Sequence, residues 1–333
     1  MINIRKEHIV RVGPVHAGII EPGVFNFTCV GERVQKLDIS LGFQHRGIEK
    51  LIVEAARKGN ALRMMCLAEQ IAGDTSVGHA LAMAQILDCG KCSELLVLER
   101  EVALELERAA VNTGDVAALA GDIAHQSAHV ACEALRTLLI NATQRLCGSR
   151  FGRTLIRPSG TNFPITAQRC DDITSTAKRV RKRLRAVRAS LMNSPSVLSR
   201  LEEVCIMEKG CGRYSGDLKE RLDIRFRENE EAFEKIIENC KVLKSNWFEP
   251  RGEVDYTLRL EASRTYASEV KGWRGTIKHS CRVDESGVIV EYHIEDPSAV
   301  LWDELARSTA GAEIADFPVN NKSFNLSYCG TDK

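Results

Sequence analysis

The sequence predicts an α+β fold, a mainly α-helical core bundle with small antiparallel β-structure in the N- and C-terminal parts. Three observations carry that reading. Residues 7–12 and 24–41 alternate apolar and polar, the period of a half-buried strand. From Gly47 onward the apolar period lengthens to that of a helix, and it holds to about residue 192. Beyond Pro250-Arg-Gly252 the strand-like alternation returns.

In chain order, Gly31-Glu32 is the expected turn between strands at 25–30 and 34–39, giving an N-terminal hairpin or small sheet. Ile48, Leu51, Ile52, Ala55 and Ala56 share one face of a first helix, which Gly59-Asn60 ends. Further helices are expected over about 61–72 and 76–88, then over 92–112 and 115–147 with a break at Asn112-Thr-Gly114. An extended exit segment at 151–158 leads to a long helix over 170–192, stopped by Asn193-Ser-Pro195. Residues 196–220 read as irregular, 227–243 as an acidic amphipathic helix, 254–260 and 288–294 as strands, and 299–308 as a short helix. The expected organisation is one compact domain in three parts: a β-rich segment at 1–42, a helical core at 43–200 and an α+β part at 201–333.

Composition narrows the function. With 44% hydrophobic and 27% charged residues and a net charge of +1, the chain lacks the basic excess of a nucleic-acid binder. No window is apolar for long enough to span a membrane, and the first residues lack the apolar core of a secretory signal. Twelve cysteines, scattered except for Cys89-Gly-Lys-Cys92, suggest a reducing compartment and buried, inert thiols. Gly-rich dinucleotide fingerprints, a Walker loop and a Gly-x-Ser-x-Gly elbow are all missing, so nucleotide binding and elbow-type hydrolysis have little support.

The remaining constellations are modest. Cys89 and Cys92 have metal-ligand spacing but no second pair to complete a site. His125 and His129, at i and i+4, lack the glutamate of a zincin helix. The basic run from Lys178 to Arg188 reads as a solvated helix face. Asp122, in a small-residue apolar stretch, calls for a partner, because burying an unpaired charge is costly.

Several segments acquire a common meaning when taken in order. They are Gly13-Pro-Val-His-Ala-Gly-Ile-Ile-Glu-Pro-Gly23, Leu41-Gly-Phe-Gln-His-Arg-Gly-Ile-Glu-Lys50, Asn112-Thr-Gly-Asp-Val-Ala-Ala-Leu-Ala-Gly-Asp122 and Arg157-Pro-Ser-Gly160. Glu249-Pro-Arg-Gly-Glu253, Asp296-Pro-Ser298 and the tail from Phe317 to Tyr328 complete the series. With them the chain resembles the large subunit of membrane-bound, energy-converting nickel–iron hydrogenases, a superfamily that includes the complex I large subunit bordering the quinone site. The fold implied is that of a nickel–iron hydrogenase large subunit.

Active relatives hold their metal with two Cys-x-x-Cys pairs, the first followed four residues later by histidine; soft thiolates suit nickel and iron. Alignment on Glu69, Gly73 and His79 puts Ala72 and Thr75 at the first pair, and alignment on Thr331-Asp332 puts Ser327 and Gly330 at the second. Cys66 and Cys329 are out of register. The resemblance therefore implies a chain without a nickel–iron centre and with no cofactor of its own. It also implies an iron–sulfur small subunit and membrane-embedded subunits as partners, at the cytoplasmic face of the cell membrane. The site residues it implies are His16, Glu21, Glu69, Asp74, His79, Asp122 and Arg251, as a proton relay or as remnants of the site. Among these, Arg251 matches the arginine held over the metal, Glu21 an acid on a proton path, and His16 with Asp122 the histidine–aspartate pair of the quinone site. Glu69 stands where the quinone-capping tyrosine is expected. The function implied is ion-translocating electron transfer without hydrogen chemistry; quinone reduction and a non-catalytic coupling scaffold are the alternatives.

Overall fold

The computed structural model describes residues 7–16, 19–208, 210 and 212–333. The first six residues, Ala17-Gly18 inside the first motif, Lys209 and Cys211 lie outside the described residues. Strands β1 (Glu7–Val12), β2 (Val24–Val30) and β3 (Arg33–Ser40) form an antiparallel sheet in the order β1-β2-β3. Period-two alternation turns Phe25, Phe27 and Cys29 to one buried face, and a β-bulge opposite Thr28–Cys29 brings both Val34 and Leu37 of β3 to it. That face packs on aromatics from the far end of the chain: Phe25 lies 5.3 Å from Phe317 and 6.2 Å from Tyr328 between ring centroids.

Helices α1 (Ile48–Arg57), α2 (Ala61–Ala68) and α3 (Ser76–Leu87) follow. Helix α3 is buried almost all round, which fits its composition of Ala, Val, Leu and Met on every side. Helix α4 (Glu94–Asp122) then runs straight through Asn112-Thr-Gly114, where a break was expected, and α5 (Gln126–Cys147) starts only after it. The turn falls at Ala124, in the left-handed region with φ 61°, and His125 caps α5 by accepting from Ala128 N–H. Gly114 serves packing rather than helix termination: a Cβ there would sit 2.8 Å from Arg136 Nε of α5. Asn112 and Thr113 are satisfied in place, through Glu228 and the Ala109 carbonyl.

The expected extended exit is mostly turn, with one short ladder between β4 (Ile156–Arg157) and β5 (Gly160–Thr161). Helices α6 (Ala167–Met192), α7 (Pro195–Leu201) and α8 (Leu218–Ser245) come next. Helix α8 packs along α4 and α6, so the helical core continues beyond residue 200. The basic run of α6 faces acids of α8: Arg181 and Arg185 pair with Glu230, and Arg188 with Asp223. Part of its charge is thus met within the fold.

Residues 254–260 join no ladder, contrary to expectation. The second sheet is instead β6 (Thr265–Lys271), β7 (Thr276–Val283) and β8 (Ile289–Glu295), antiparallel in that order, with the predicted turn at Asp284–Gly287 joining β7 to β8. It lies against α3 and α1. Helices α9 (Trp302–Thr309), α10 (Phe317–Phe324) and α11 (Tyr328–Asp332) return to the first sheet.

Between α4, α8 and α10, the buried guanidinium of Arg225 donates to Asp115, to the Arg221 carbonyl and to the Ser323 carbonyl. Burial pushes the Asp115 carboxyl up, and Arg225 and Arg213 oppose that push. Arg225→Ala leaves this acid uncompensated and is expected to cost about 3–5 kcal/mol in urea unfolding. Arg225→Met combined with Asp115→Leu is expected to recover most of the loss.

Candidate functional site

The motifs at 41–50, 69–79 and 325–333 meet in space. Arg46 makes the junction: its guanidinium donates to the Gln70 and Ile71 carbonyls of the loop after α2 and to the Cys329 carbonyl of α11. The tail is held in turn by Asp332, which accepts from Gly42 and Gln44 N–H, and by the Lys333 carbonyl, which accepts from Arg46 and Gly47 N–H. Glu21 reaches the same place and accepts from Cys329 N–H at 3.2 Å. The two expected halves of a metal site are therefore adjacent.

What fills the junction is a polar network. Arg274, from the turn between β6 and β7, donates to Asp74 Oδ2 at 2.6 Å, Thr75 Oγ1 at 3.2 Å and the Asn325 carbonyl at 2.8 Å. Its guanidinium stacks over Trp273 at 4.1 Å, and Trp273 donates to the Asp74 carbonyl. Burial alone would lower the Arg274 pKa, but the Asp74 and Asp296 carboxylates more than reverse this, and the arginine stays charged.

His79 lies one turn into α3, fully buried. Its Nε2 shares a hydrogen bond of 3.1 Å with Asp296 Oδ2, and its Nδ1 one of 3.0 Å with His279 Nε2. His279 Nδ1 in turn meets the Tyr292 hydroxyl at 2.8 Å. Asp296 also accepts from Ser298 N–H, and the Ser298 hydroxyl accepts from Ser327 N–H. Five groups from α3, β7, β8 and the tail thus form one buried line: Tyr292, His279, His79, Asp296 and the Ser298 turn.

Its electrostatics are uneven. Burial pushes the Asp296 carboxyl up, but the His79 hydrogen bond and the Arg274 charge outweigh it and hold the group well below the usual carboxylate range. Burial holds His279 well below its ordinary value, so it is neutral, and burial raises the Tyr292 hydroxyl well above its own. The line can exchange protons along its length, with a fixed negative end at Asp296.

The expected site residues distribute as follows. Glu21, Asp74 and His79 join the junction. Glu69 adjoins it, yet its carboxylate is taken by Arg157 at 2.6 Å and Thr154 N–H at 2.7 Å. Arg251 does not reach the junction: its guanidinium pairs with Glu99 at 2.9 Å and donates to the Ile165 carbonyl, because the segment 249–253 packs beside the start of α4. The arginine at Asp74 and Thr75 is Arg274. Asp122 does have a partner, and it is Lys322 at 2.7 Å rather than His16, which lies exposed in the loop before β2. The buried histidine–aspartate pair is His79 with Asp296.

Of the expected ligand positions, Ala72 and Thr75 line the loop, and Ser327 caps α11 by accepting from Gly330 N–H. A Cβ at Gly330 would stand 2.9 Å from the Asp296 carboxylate, so Asp296 occupies the space a side chain there would need. Among the described residues no group of three His, Cys, Asp or Glu could hold a metal ion. Cys92 instead donates to Asp88, which Arg100 also binds, and burial with that bond pushes the thiol up to about 11. His125 and His129 serve their helices, the latter bound to the Ala117 carbonyl.

Sequence reasoning missed Arg274, His279 and Tyr292. The signal was slight: an arginine between glycines in Gly272-Trp-Arg-Gly275, and two polar rings at inward positions of alternating strands. Asp296 was noticed only as part of a motif.

Acid should dismantle this line. Asp296, depressed in the folded state, contributes stability that is present above its unfolded value of 3.8 and lost as pH falls through the folded value. His279, also depressed, begins the loss earlier, as pH falls below its ordinary 6.5. Asp296→Asn is expected to cost about 3 kcal/mol at neutral pH and to flatten the acid limb of a melting-temperature profile.

Residues 122–214 match the family model described as respiratory-chain NADH dehydrogenase, 49 Kd subunit. The membrane-bound hydrogenase subunit alpha of Pyrococcus furiosus is 23% identical over 202 residues, covering 59% of this chain and 46% of that protein. The carbon monoxide-induced hydrogenase of Rhodospirillum rubrum is 26% identical over 163 residues, 47% of this chain and 44% of that one. Formate hydrogenlyase subunit 5 of Escherichia coli is 28% identical over 107 residues, 31% of this chain and 18% of that protein. The chain thus spans less than half the length of these curated relatives. A chain of the membrane-bound sulfane sulfur reductase, an archaeal respiratory membrane complex, superposes with a TM-score of 0.85 over 99% of this chain and 100% of that one, at 17% identity. At that identity the match establishes the shared fold. The resemblance read from the motifs, and the α+β fold it implied, are borne out.

Proposed function

We propose that this chain, a relative of the hydrogenase large subunits and of the complex I 49 kDa subunit, is the hydrogenase-like large subunit of a membrane-bound, ion-translocating oxidoreductase. In this reading it works without a nickel–iron centre. It sits peripherally at the cytoplasmic face, against an iron–sulfur small subunit and membrane-embedded subunits, and links electron transfer in its partner to proton movement through its own buried groups. Among the described residues no helix is long and apolar enough to cross a membrane, so anchoring falls to the partners.

The observation that carries the proposal is the buried line from Tyr292 through His279 and His79 to Asp296. Burying two imidazoles and a carboxylate is costly unless each is bonded, and here each is. The donor set does not suit nickel and iron: no thiolate stands at Ala72, Thr75, Ser327 or Gly330, and Asp296 fills the space beside Gly330. No step is therefore assigned to such a centre. Negative charge arriving in the partner raises the proton affinity of nearby acids and imidazoles, which is the physical basis of the coupling. Asp296 and Arg274 stand behind the wall of a cleft of about 1630 Å³.

Quinone reduction is less well supported. The cavity beside Asp74 measures about 40 Å³, against roughly 300–1,000 Å³ for small-molecule sites. Asp122, one of the expected quinone residues, is committed to Lys322.

In the purified complex, elemental analysis is expected to find no stoichiometric nickel bound to this subunit. His79→Gln, which breaks the line while conserving size, is expected to slow proton-coupled electron transfer about 100-fold. Stoichiometric nickel at this chain, or an unchanged rate in that variant, would end the proposal.

A further inference from the structure

Beside the junction, on the face of α3 away from the His79 line, stands a second acid that the relay does not use. Glu107 projects from the middle of α4 onto the first turn of α3. Its Oε1 accepts from Val77 N–H at 2.7 Å and its Oε2 from Gly78 N–H at 3.2 Å. The side chain is half-buried, and it lines the cavity of about 40 Å³ together with Gly73, Asp74, Ala103, Arg136 and Thr143. A water needs about 10–15 Å³ of such volume and two to four polar partners. The cavity therefore has room for a short file of waters, with Glu107, Asp74, Arg136 and Thr143 as partners.

Two carboxylates thus share one small space in unequal surroundings. Asp74 is bound by Arg274 at 2.6 Å and by the Thr75 hydroxyl at 3.0 Å. Glu107 has no ion pair within 4 Å among the described residues, only two amide donors. The charged groups around it are committed elsewhere. Arg108, next along α4, binds Glu105 and the carbonyls of Lys271 and Gly272. Arg136 of α5 packs on Gly114 and faces Glu133, and Arg150, after α5, lies over Phe151. Arg274 stands behind Asp74.

We propose that Glu107 is the proton-exchanging carboxyl of this region, taking up and releasing a proton through the waters of the cavity it shares with Asp74. This deepens the coupling role proposed above and rests on it for its purpose, not for its chemistry. In each exchange the carboxylic acid loses its hydroxyl proton to a cavity water and becomes a carboxylate; no electrons are transferred. The electrostatics agree. Burial pushes Glu107 up, the Val77 and Gly78 amides draw it down, the Asp74 charge raises it again and Arg108 lowers it, leaving it at about 8. The unequal bonding of the two carboxyls, Asp74 ion-paired to Arg274 and Glu107 held only by amides, fits Glu107 as the proton carrier.

Infrared difference spectra of the purified complex, titrated from about pH 6 to about pH 10, provide the test. A protonated-carboxyl C=O band is expected to fade with a midpoint near 8 and to be absent from Glu107→Gln, which keeps an oxygen to accept from α3. Asp74→Asn, which removes the neighbouring negative charge, is expected to keep the band and lower its midpoint, whether or not the Gln variant folds. A band that persists unchanged in Glu107→Gln, fades in the ordinary carboxylate range, or ignores Asp74→Asn would overturn the proposal. These outcomes are separable from the coupling reading, since nickel content and the His79→Gln rate do not depend on the Glu107 band.

Discussion

The buried Arg274 guanidinium holds the junction together. It is a planar fork with five donors, and this structure points three of its nitrogens at two segments far apart in sequence: Asp74 and Thr75 before α3, and Asn325 before α11. An arginine so deeply buried is tolerated only when paired and bonded, which the Asp74 carboxylate, the Thr75 hydroxyl and the Asn325 carbonyl accomplish, with the Asp296 charge adding to the field. Asp296 in turn is held by His79 and by the Ser298 amide. Arg46 performs the matching task from the first sheet's side, joining the 69–75 loop to the tail through three carbonyls.

A network of this kind ties the 69–75 loop to the C-terminal segment through hydrogen bonds. In a site closed by thiolates and metal, the cross-link between the loop and the tail is coordinative. Here Arg274 and Arg46 each hydrogen-bond to both segments, and the Ser298 hydroxyl accepts from Ser327 N–H in the tail. At Gly330 the Asp296 carboxylate fills the space a side chain would take. The junction is lined mainly by acids, imidazoles and guanidinium groups, which move or hold protons.

Much of the architecture was legible in the chain. The first sheet, α1 to α3, α6 and the turn at Asp284–Gly287 follow from apolar period and turn residues. The misreadings have specific physical causes. Asn112-Thr-Gly114 looked like a helix stop, but Glu228 and the Ala109 carbonyl satisfy Asn112 and Thr113, and Gly114 packs against the Arg136 side chain of α5. Val254 to Leu260 alternates like a strand and finds no partner edge, whereas β6 and β7 were hidden by their outward lysines, glutamates and arginines. The site was legible in part: Glu21, Asp74 and His79 meet as expected, but Arg251 and Asp122 are bound by Glu99 and Lys322.

The sequence by itself determined the α+β class, the relationship to hydrogenase large subunits, and the absence of thiols at positions 72, 75, 327 and 330, because these depend on residue type and order. It also marked both halves of the junction. Only the tertiary structure decided which charged groups face one another: Arg274 rather than Arg251 over the loop, Asp296 rather than Asp122 on a buried histidine, and Glu107 beside Asp74. The pairs span separations of up to 217 residues, and periodicity constrains only which face of its own element a side chain occupies. The partner across that face is settled by how helices and sheets pack, and with it the protonation state on which the chemistry depends.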